Sequence, residues 1–354
     1  MNGDKIMYQM KISVRGLVEF IFRSGDISGG EGSFSKEAMA EGSRIHRKIQ
    51  GKMGLNYDAE VSLKYDVIRP DYVLTIEGRA DGIITEDQGV TVDEIKGVYK
   101  KLEYMEEPIY VHKAQAMCYA YIYALQNELD TISVQLTYCN MDTEEIKYFK
   151  ELFTFEDLQE WFHKLVDEYC KWAQFEVDNR LLRNESIEHL EFPYPYRDGQ
   201  RDMAGSVYLS IKRRQNLFVQ APTGIGKTMG ALFPTIKAMG DGYGEKLFYL
   251  TAKTIARSVA VDGLETLRNC GLHFRSVLLT AKEKICPMDE MQCEPEHCPY
   301  AKGHFDRINN AVYDCITHEM NVTRDVLLEY ANKHMVCPFE MGLDVSMFVD
   351  GVIR

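Results

Sequence analysis

The chain has 354 residues, enough for two domains that each bury a core of their own. Apolar residues make up 45% of the chain and charged residues 27%, and no repeat or low-complexity tract interrupts them, which excludes an intrinsically disordered protein. The formal net charge of -13 excludes indiscriminate adhesion to nucleic acid, so any contact with DNA must come from local basic patches or from a divalent metal.

The first half of the chain alternates between helical and strand-like periodicity. Apolar residues at three- and four-residue spacing predict helices, and alternating β-branched and aromatic residues predict strands. The predicted order is helix, three strands, helix and strand, over residues 35–53, 59–68, 72–84, 89–98, 111–126 and 131–139. A further helix follows Thr154, which forms a capping box with Asp157, and its apolar stripe indicates packing against a neighbour.

A segment rich in proline and glycine, residues 189–199, marks the boundary between two predicted domains, residues 1–188 and 189–354. Beyond this boundary, three short apolar runs are typical of buried strands that alternate with helices; they cover residues 216–221, 246–251 and 274–280. The pattern predicts an α/β domain with a parallel sheet.

Two acidic residues and a lysine in the first domain form a candidate metal site. Asp81 lies at the end of one predicted strand, and Glu94 and Lys96 lie two residues apart on the next, so these two side chains share a face. The two carboxylates and the Ile95 carbonyl are oxygen ligands suited to Mg²⁺ or Mn²⁺, and the lysine can position or activate water for phosphodiester hydrolysis. The alternative is a solvated strand face, on which the same residue types are common.

The sequence "VQAPTGIGKT", residues 219–228, predicts a nucleotide-binding loop between a strand and a helix. The two glycines let backbone N–H groups face phosphate, the lysine supplies charge to the β and γ phosphates, and the threonine can ligate Mg²⁺. Ala221 departs from the strict pattern, which begins with glycine. The predicted nucleotide-binding residues are Thr223, Gly224, Ile225, Gly226, Lys227 and Thr228, with Arg197 and Gln200 upstream as candidates for reading adenine.

The nine cysteines separate into two sets. No signal-peptide core or bilayer-spanning apolar run is present, which predicts a cytoplasmic protein in which thiols are metal ligands or buried groups rather than disulfides. Cysteines scattered singly among apolar neighbours are expected to be small core residues: Cys118, Cys139, Cys170 and Cys270. Cys315 is also expected to be structural. The other four, Cys286, Cys293, Cys298 and Cys337, suit zinc or a 4Fe–4S cluster, and His297 or His304 can replace a cysteine in a zinc site.

The order of five motifs in residues 190–354 resembles the first half of the motor in XPD/DinG-type superfamily 2 DNA helicases. The motifs are "YRDGQ", "APTGIGKT", "LFYLTAKT", "LLTAKEKIC" and "CPFE". The resemblance implies an incomplete RecA-like parallel-sheet domain with an iron-sulphur insertion at about residues 282–340, and translocation along single-stranded DNA driven by ATP. It implies a 4Fe–4S cluster on the four clustered cysteines, an adenine contact from Gln200, and Thr251 and Lys253 near the DNA backbone.

The resemblance also implies an acidic Asp-Glu-Ala-His box for magnesium, and "LDVSMFVDGVIR" contains only Asp344 and Asp350, neither followed by glutamate. A second RecA-like domain, which closes on ATP, is not present either. We therefore expect an N-terminal piece of a longer protein, whose partner is the remainder of the motor. We expect this piece to bind nucleotide weakly and to hydrolyse it scarcely.

The first domain resembles the RecB-like branch of the PD-(D/E)XK nucleases, which have a restriction-endonuclease-like mixed sheet. The resemblance rests on the element order, on His46 in the first helix and on the "QAMCY" motif, Gln115 to Tyr119, in the second. It implies that His46 contacts the metal. The four-residue spacing places Gln115 and Tyr119 on one helical face, where both can reach the same site.

Two functions are compatible with these patterns. In the first, a metal-dependent DNA nuclease, with Asp81, Glu94, Lys96, Gln115 and Tyr119 as catalytic residues, is fused to an iron-sulphur helicase and cuts the single-stranded DNA that the motor delivers in repair or processing. In the second, the N-terminal domain only binds DNA, and the motor is the sole activity. The intact set of Asp81, Glu94 and Lys96 favours the first.

Overall fold

The computed structural model describes residues 7–27, 36–252 and 254–354. The described chain forms two compact units, the first from residues 7–23 and 36–174 and the second from residues 24–27 and 175–354. The second unit thus includes a short piece of the N-terminal region. No helix in the described ranges is long and apolar enough to cross a lipid bilayer.

The first unit is built on a mixed β-sheet. Its elements are β1 (Tyr8–Ser13), α1 (Val14–Ile21), α2 (Lys36–Gln50), β2 (Tyr57–Ile68), β3 (Tyr72–Glu86), β4 (Gly89–Val98), α3 (Tyr110–Asn127), β5 (Thr131–Asn140) and β6 (Ile146–Thr154), with a short 3-10 turn at Leu102–Tyr104. The order across the sheet is β1-β3-β4-β5-β6, and β2 pairs with β3. Strands β1 and β3 run parallel, as do β4 and β5, and the remaining pairs are antiparallel. The mixed α/β character predicted from the sequence is confirmed.

Two helices cover opposite faces of the sheet at β4. Ile45 and Ile49 of α2 pack in one cluster with Ile95 and Cys139, on the face that carries alternate residues of β4 and β5. Glu94 and Lys96 point to the other face, where the side chain of Lys96 meets α3. The region around Glu94 and Lys96 is therefore enclosed by helices on both sides of the sheet.

A long helix, α4 (Phe155–Glu188), runs across the division between the units. Half of the predicted capping box at its start is confirmed, because the Thr154 hydroxyl accepts from the backbone N–H of Asp157 at 3.2 Å. The Asp157 carboxylate accepts from the Thr154 hydroxyl at 2.8 Å, whereas in a full capping box it accepts from the backbone N–H of that residue. The helix ends at Glu188, where the proline- and glycine-rich segment begins.

The second unit contains a parallel sheet surrounded by helices. Its elements are α5 (Gln200–Lys212), α6 (Lys227–Gly240), β7 (Leu247–Tyr249), α7 (Thr254–Asn269), β8 (Ser276–Leu278), α8 (Lys282–Ile285), α9 (His304–His318), β9 (Asn321–Val322), α10 (Arg324–His334), α11 (Pro338–Phe348) and β10 (Gly351–Ile353). The strand order is β7-β10-β8-β9, and every pair is parallel. The predicted parallel sheet and its strands near 246–251 and 274–280 are confirmed.

The strand predicted over residues 216–221 is wrong. These residues have no regular secondary structure and lie outside the sheet of the described chain, with Leu217 and Val219 exposed and Phe218 94% exposed. An apolar run forms a strand only where a neighbouring strand pairs with its backbone groups. The sheet described here provides no such neighbour for this segment.

Candidate active site, nucleotide loop and cysteine cavity

The site begins where two antiparallel strands separate. The pairing of β3 with β4 runs from Glu86 opposite Gly89 to Gly82 opposite Asp93 and stops there. One residue further, the Asp81 carboxylate accepts the backbone N–H of Ile95 at 2.8 Å. A side chain thus takes the place of the next backbone bond, and the Asp81 carboxylate lies in the fork between the strands.

Helix α2 contributes two side chains at this fork. Gln50 donates from Nε2 to the backbone carbonyl of Asp81 at 2.9 Å, and His46 Nδ1 lies 3.3 Å from Asp81 Oδ1. Burial lowers the pKa of His46, but the hydrogen bond to Asp81 and the charges of Asp81 and Glu94 outweigh it, so the pKa is raised overall. The predicted residues His46 and Asp81 are therefore in contact.

Glu94, Lys96 and Gln115 form a second group beside Asp81. Lys96 Nζ lies 2.8 Å from Glu94 Oε1 and donates to Gln115 Oε1 at 3.0 Å. Glu94 is 1% exposed, and its Oε2 has no hydrogen-bonding partner in the described chain. Burial and the nearby charge of Asp81 raise the pKa of Glu94 to about 7, against the lowering effect of Lys96.

Tyr119 is held against the sheet one helical turn from Gln115. Its side chain is buried, and burial together with the charge of Glu94 raises its pKa. A Cβ on Gly78 of β3 would lie 2.6 Å from the Tyr119 hydroxyl oxygen, so any larger residue there would force the Tyr119 ring to move. The structure therefore brings all six predicted residues of the first unit, and the backbone of Ile95, into one region.

The donor atoms at the fork suit a hard divalent cation. The described ranges contain no group of three or more His, Cys, Asp or Glu side chains already arranged as metal ligands. However, a buried carboxylate oxygen without a hydrogen bond is costly, and Glu94 Oε2 is such an atom beside the charge of Asp81. Oxygen donors of this kind match the preference of Mg²⁺ and Mn²⁺.

Asp93 is a buried acid that the sequence analysis did not single out. It is fully buried and accepts from Thr137 Oγ1 at 2.5 Å, from Gln135 Nε2 at 3.1 Å and from Tyr57 Oη at 3.3 Å. Burial raises its pKa, against the lowering effect of these three donors. The alternation of β4 already places Asp93 on the same face as the buried Ile95, and an acid at such a position signals a polar cluster.

The candidate nucleotide-binding loop, residues 219–228, has the backbone that its glycines predict. Gly224 and Gly226 have φ of +88° and +82°, and helix α6 begins at Lys227, with Thr228 as its second residue. Lys227 Nζ donates to the backbone carbonyls of Ala221 and Pro222 at 3.0 and 2.9 Å. The lysine therefore closes the loop on itself in this conformation, and Thr223 and Ile225 complete the turn.

Arg197 and Gln200 contact the same loop from its N-terminal side. The Arg197 guanidinium donates to the carbonyl of Gly224, and Gln200 Nε2 donates to the carbonyl of Gly226 at 3.1 Å. Gln200 Oε1 accepts the backbone N–H of Arg197 at 3.1 Å. Both predicted adenine-reading side chains thus bind loop backbone in this structure.

Of the two residues predicted to lie near the DNA backbone, Thr251 follows β7, and Lys253 lies outside the described residues.

All four clustered cysteines line one cavity in the second unit. Its lining residues include Cys286, Cys293, Cys298, Cys337, Lys282, Ile27, Ala301 and Phe339. Lys282 lies beside Cys293 and is 3.6 Å from the carboxylate of Glu340. The cavity therefore offers four thiol groups, with the ammonium group of Lys282 beside them.

The two histidines considered for zinc occupy different places. His304 is fully buried and accepts the backbone N–H of Cys337 on Nδ1 at 3.1 Å, so it supports the chain at that cysteine. His297 is exposed and does not line the cavity. Of the cysteines expected in the core, Cys118, Cys139 and Cys170 are buried, but the prediction for Cys270 is wrong, because it follows the end of α7 and is exposed. Cys315, expected to be structural, is also buried.

A buried ion pair joins α4 to the sheet of the second unit. Asp350, just before β10, accepts from Arg183 at 3.1 Å, from Asn179 at 3.1 Å and from the backbone N–H of Arg275 at 2.8 Å. Arg183 also donates to the carbonyl of Glu245 at 3.0 Å. The Asp350 carboxylate thus has a structural role in the described chain.

No protein-family model matches the chain. The chain is similar to a probable ATP-dependent helicase of Methanocaldococcus jannaschii, at 28% identity over 167 residues that cover 46% of this chain. It spans about a quarter of the length of that curated relative, 25%. Among solved structures, the crystal structure of SSO0001 aligns with 46% of this chain and 78% of that chain, at 18% identity and a TM-score of 0.30, which is too low to support any argument.

Proposed function

We propose that the first unit is a metal-dependent DNA nuclease and that the second is part of an ATP-dependent DNA helicase motor. The observation that carries the nuclease proposal is the buried Oε2 of Glu94, without a hydrogen bond in the described chain and next to the Asp81 charge. A carboxylate is retained in such a position when a cation compensates it. A purely structural acid is satisfied by donors, as Asp93 is.

Each residue at the fork has a distinct part in this proposal. Asp81, Glu94 and the Ile95 carbonyl would hold Mg²⁺ or Mn²⁺, and His46, which lies 3.3 Å from Asp81, would be a neighbouring contact. A bound divalent cation supplies charge stabilisation at a scissile phosphate. Lys96 orients the attacking water, and Gln115 fixes the lysine by the 3.0 Å hydrogen bond, with Tyr119 behind it.

The motor part of the proposal rests on the nucleotide loop and on the weak similarity to a probable helicase. ATP phosphates would replace the carbonyls of Ala221 and Pro222 as partners of Lys227, because a triphosphate is the stronger acceptor. Magnesium would accompany the nucleotide at Thr228. Nucleic acid, and single-stranded DNA in particular, is the proposed partner.

We also propose that the cysteine cavity of the second unit is a metal centre. Four thiols around one cavity suit a 4Fe–4S cluster or zinc in donor type and number, and the sequence resemblance favours the cluster. The exposed position of His297 and the use of His304 Nδ1 by Cys337 favour a site with four cysteine ligands. Cys286, Cys293, Cys298 and Cys337 would hold the group.

A cleavage assay with Mn²⁺ on end-labelled single-stranded DNA tests the nuclease proposal. Wild type and Asp81→Ala are compared, with Asp58→Ala as a matched control that removes an exposed acid from the neighbouring strand β2. We expect cleavage by wild type and by the control, and a loss of at least about a hundredfold in Asp81→Ala. Equal products from all three proteins would rule out this active site. DNA binding without products from any of them would instead support an N-terminal domain that binds DNA without cutting it.

A further inference from the structure

A piece of the N-terminal region is built into the cysteine-containing part of the second unit. Two backbone hydrogen bonds hold it there: Ile27 donates to the carbonyl of Ala301 at 2.9 Å, and Phe305 donates to the carbonyl of Gly25 at 2.9 Å. These bonds run in opposite directions between the same two stretches of chain. The 24–27 segment, Ser24–Ile27, is therefore docked along the residues that lead into helix α9.

Two carboxylates strengthen this docking, one from each side. Asp306 of α9 accepts the backbone N–H of Gly25 at 2.9 Å, across 281 positions of sequence. Asp26 accepts the backbone N–H of Gly303, the residue that caps α9, at 2.5 Å. A carboxylate at a helix N-terminus is favoured both by the unpaired N–H groups and by the helix dipole. The contact thus has charge-assisted bonds in addition to its backbone pair.

The 24–27 segment also reaches the thiols. Ile27 lines the same cavity as Cys286, Cys293, Cys298 and Cys337, and its backbone partner Ala301 lines it too. An aliphatic side chain at this position keeps water from the sulphur atoms on its side of the cavity. The other protein walls come from residues 282–339. The cavity is therefore a composite of two parts of the chain that are far apart in sequence.

We infer that the 24–27 segment is a structural part of the cysteine site, which closes one wall of the cavity and limits access to its thiols. The inference extends the proposed metal centre, because the same wall governs how firmly a metal is retained there. Solvent access and burial are known to control the stability and chemistry of such sites. The N-terminal region and the cysteine region consequently depend on each other for a complete site.

Cysteine alkylation in metal-free protein tests the wall directly. The chelator-treated chain is exposed to iodoacetamide, and the rate is measured for each cysteine by mass spectrometry. In Ile27→Asp and Asp26→Ala we expect Cys286, Cys293, Cys298 or Cys337 to react about threefold faster or more than in wild type, through loss of local protection. The exposed Cys270 serves as an internal reference whose rate should stay constant.

Ile68→Asp is the matched control, because Ile68 is 71% exposed on strand β2 and belongs to the first unit. Ile27 is half-buried and Asp26 is exposed, so both test variants should fold, which circular dichroism verifies. Wild-type alkylation rates at all four cysteines in both folded variants would overturn the inference. Faster alkylation confined to the two variants, and absent from Ile68→Asp, would support it.

A second arm separates this inference from the proposed metal centre. Wild type and Ile27→Asp are loaded with ferrous iron and sulphide under anaerobic conditions, and bound iron is followed after transfer to a chelator. Because the 24–27 segment closes one wall of the cavity, we expect iron to be lost faster from Ile27→Asp than from wild type. Failure of wild type to bind iron or zinc would contradict the metal centre alone, since the alkylation rates measure the wall without any metal.

Discussion

Lys96 pairs with only one oxygen of Glu94: its Nζ lies 2.8 Å from Oε1, while Oε2 stays buried without a hydrogen bond in the described residues. Only one of the two Glu94 carboxylate oxygens therefore has a positively charged partner in the described residues. Asp81 adds a further negative charge nearby, and His46 adds a partial positive one. This imbalance makes the charge state of Glu94 sensitive to pH and to cations.

We predict that Glu94→Gln removes a pH dependence of stability in metal-free protein. Because the folded-state pKa of Glu94 is raised to about 7 from an ordinary value of 4.5, the folded chain binds more protons than the unfolded chain between these values. Wild type should therefore lose stability as pH rises through this window, by an amount on the order of 3 kcal/mol at most. Urea unfolding at several pH values in a chelating buffer measures it.

Glu86→Gln is the control, since Glu86 is exposed at the end of β3. This variant should follow the wild-type pH profile, whereas Glu94→Gln should be flatter between about pH 4.5 and 7. Mn²⁺ should restore wild-type stability at high pH by compensating the charge. Parallel profiles for wild type and Glu94→Gln would contradict the raised pKa.

We predict that Asp93→Asn destabilises the first unit and also impairs cleavage. An amide in place of the carboxylate leaves at least one of the three donors on Asp93 unsatisfied in a buried site, at a cost of about 1–3 kcal/mol. Asp66→Asn is the matched control, because Asp66 accepts from Thr75 at 2.7 Å at a more exposed position. The free energy of unfolding is measured for both.

If Asp93 also positions Glu94, its replacement should change the Mn²⁺ dependence of cleavage as well as the stability. Asp93 directly precedes Glu94, so its replacement should displace the strand that carries Glu94. The Mn²⁺ concentration that gives half-maximal cleavage should then rise roughly tenfold, measured at a temperature where the variant is folded. Asp66→Asn should keep the wild-type value. An Asp93→Asn protein with unchanged stability and unchanged Mn²⁺ dependence would refute the role of this cluster.

We predict that Lys227→Ala lowers affinity for nucleotide. The lysine is a charged group of the loop itself, and loss of a charge-assisted contact to phosphate should weaken binding of a fluorescent ATP analogue by about tenfold or more, near 1.4 kcal/mol. Lys302→Ala removes an exposed lysine elsewhere and should bind like wild type. Equal affinities for the three proteins would mean that the loop does not hold the phosphates.

We predict that Cys298→Ser abolishes retention of the metal centre. Protein prepared without oxygen should be brown and absorb near 400 nm (roughly, for thiolate-bound iron clusters), and the serine variant should lack both colour and bound iron. Cys270→Ser, at an exposed cysteine outside the cavity, should keep them. A colourless wild-type protein that contains zinc would show that the four cysteines hold zinc and not an iron–sulphur cluster.

Local periodicity was sufficient for the core of the candidate site. The alternation in residues 89–98 predicts that Glu94 and Lys96 share a face, and their 2.8 Å contact confirms it. The four-residue spacing of Gln115 and Tyr119 likewise predicts one helical face, and Gln115 contacts Lys96. Such features depend on spacing alone, which the sequence displays.

Features that depend on distant partners could not be predicted in this way. The run at 216–221 has the apolarity of a strand, but nothing in its own residues specifies a pairing neighbour. The bond between Gly25 and Asp306 joins residues 281 positions apart, and the fork at Asp81 depends on where the pairing of β3 with β4 stops. These properties arise from tertiary contacts, for which no local pattern exists.

The order of strands in the second sheet has a consequence for biosynthesis. Strand β10, residues 351–353, lies between β7 and β8, which are made about 100 and 75 residues earlier. As the polypeptide leaves the ribosome, β7 and β8 have no strand between them, and the backbone N–H and C=O groups that will pair with β10 are uncovered. We expect nascent chains stalled before residue 350 to need chaperone protection, and this need to fall once residues 351–353 have emerged and paired with both neighbours.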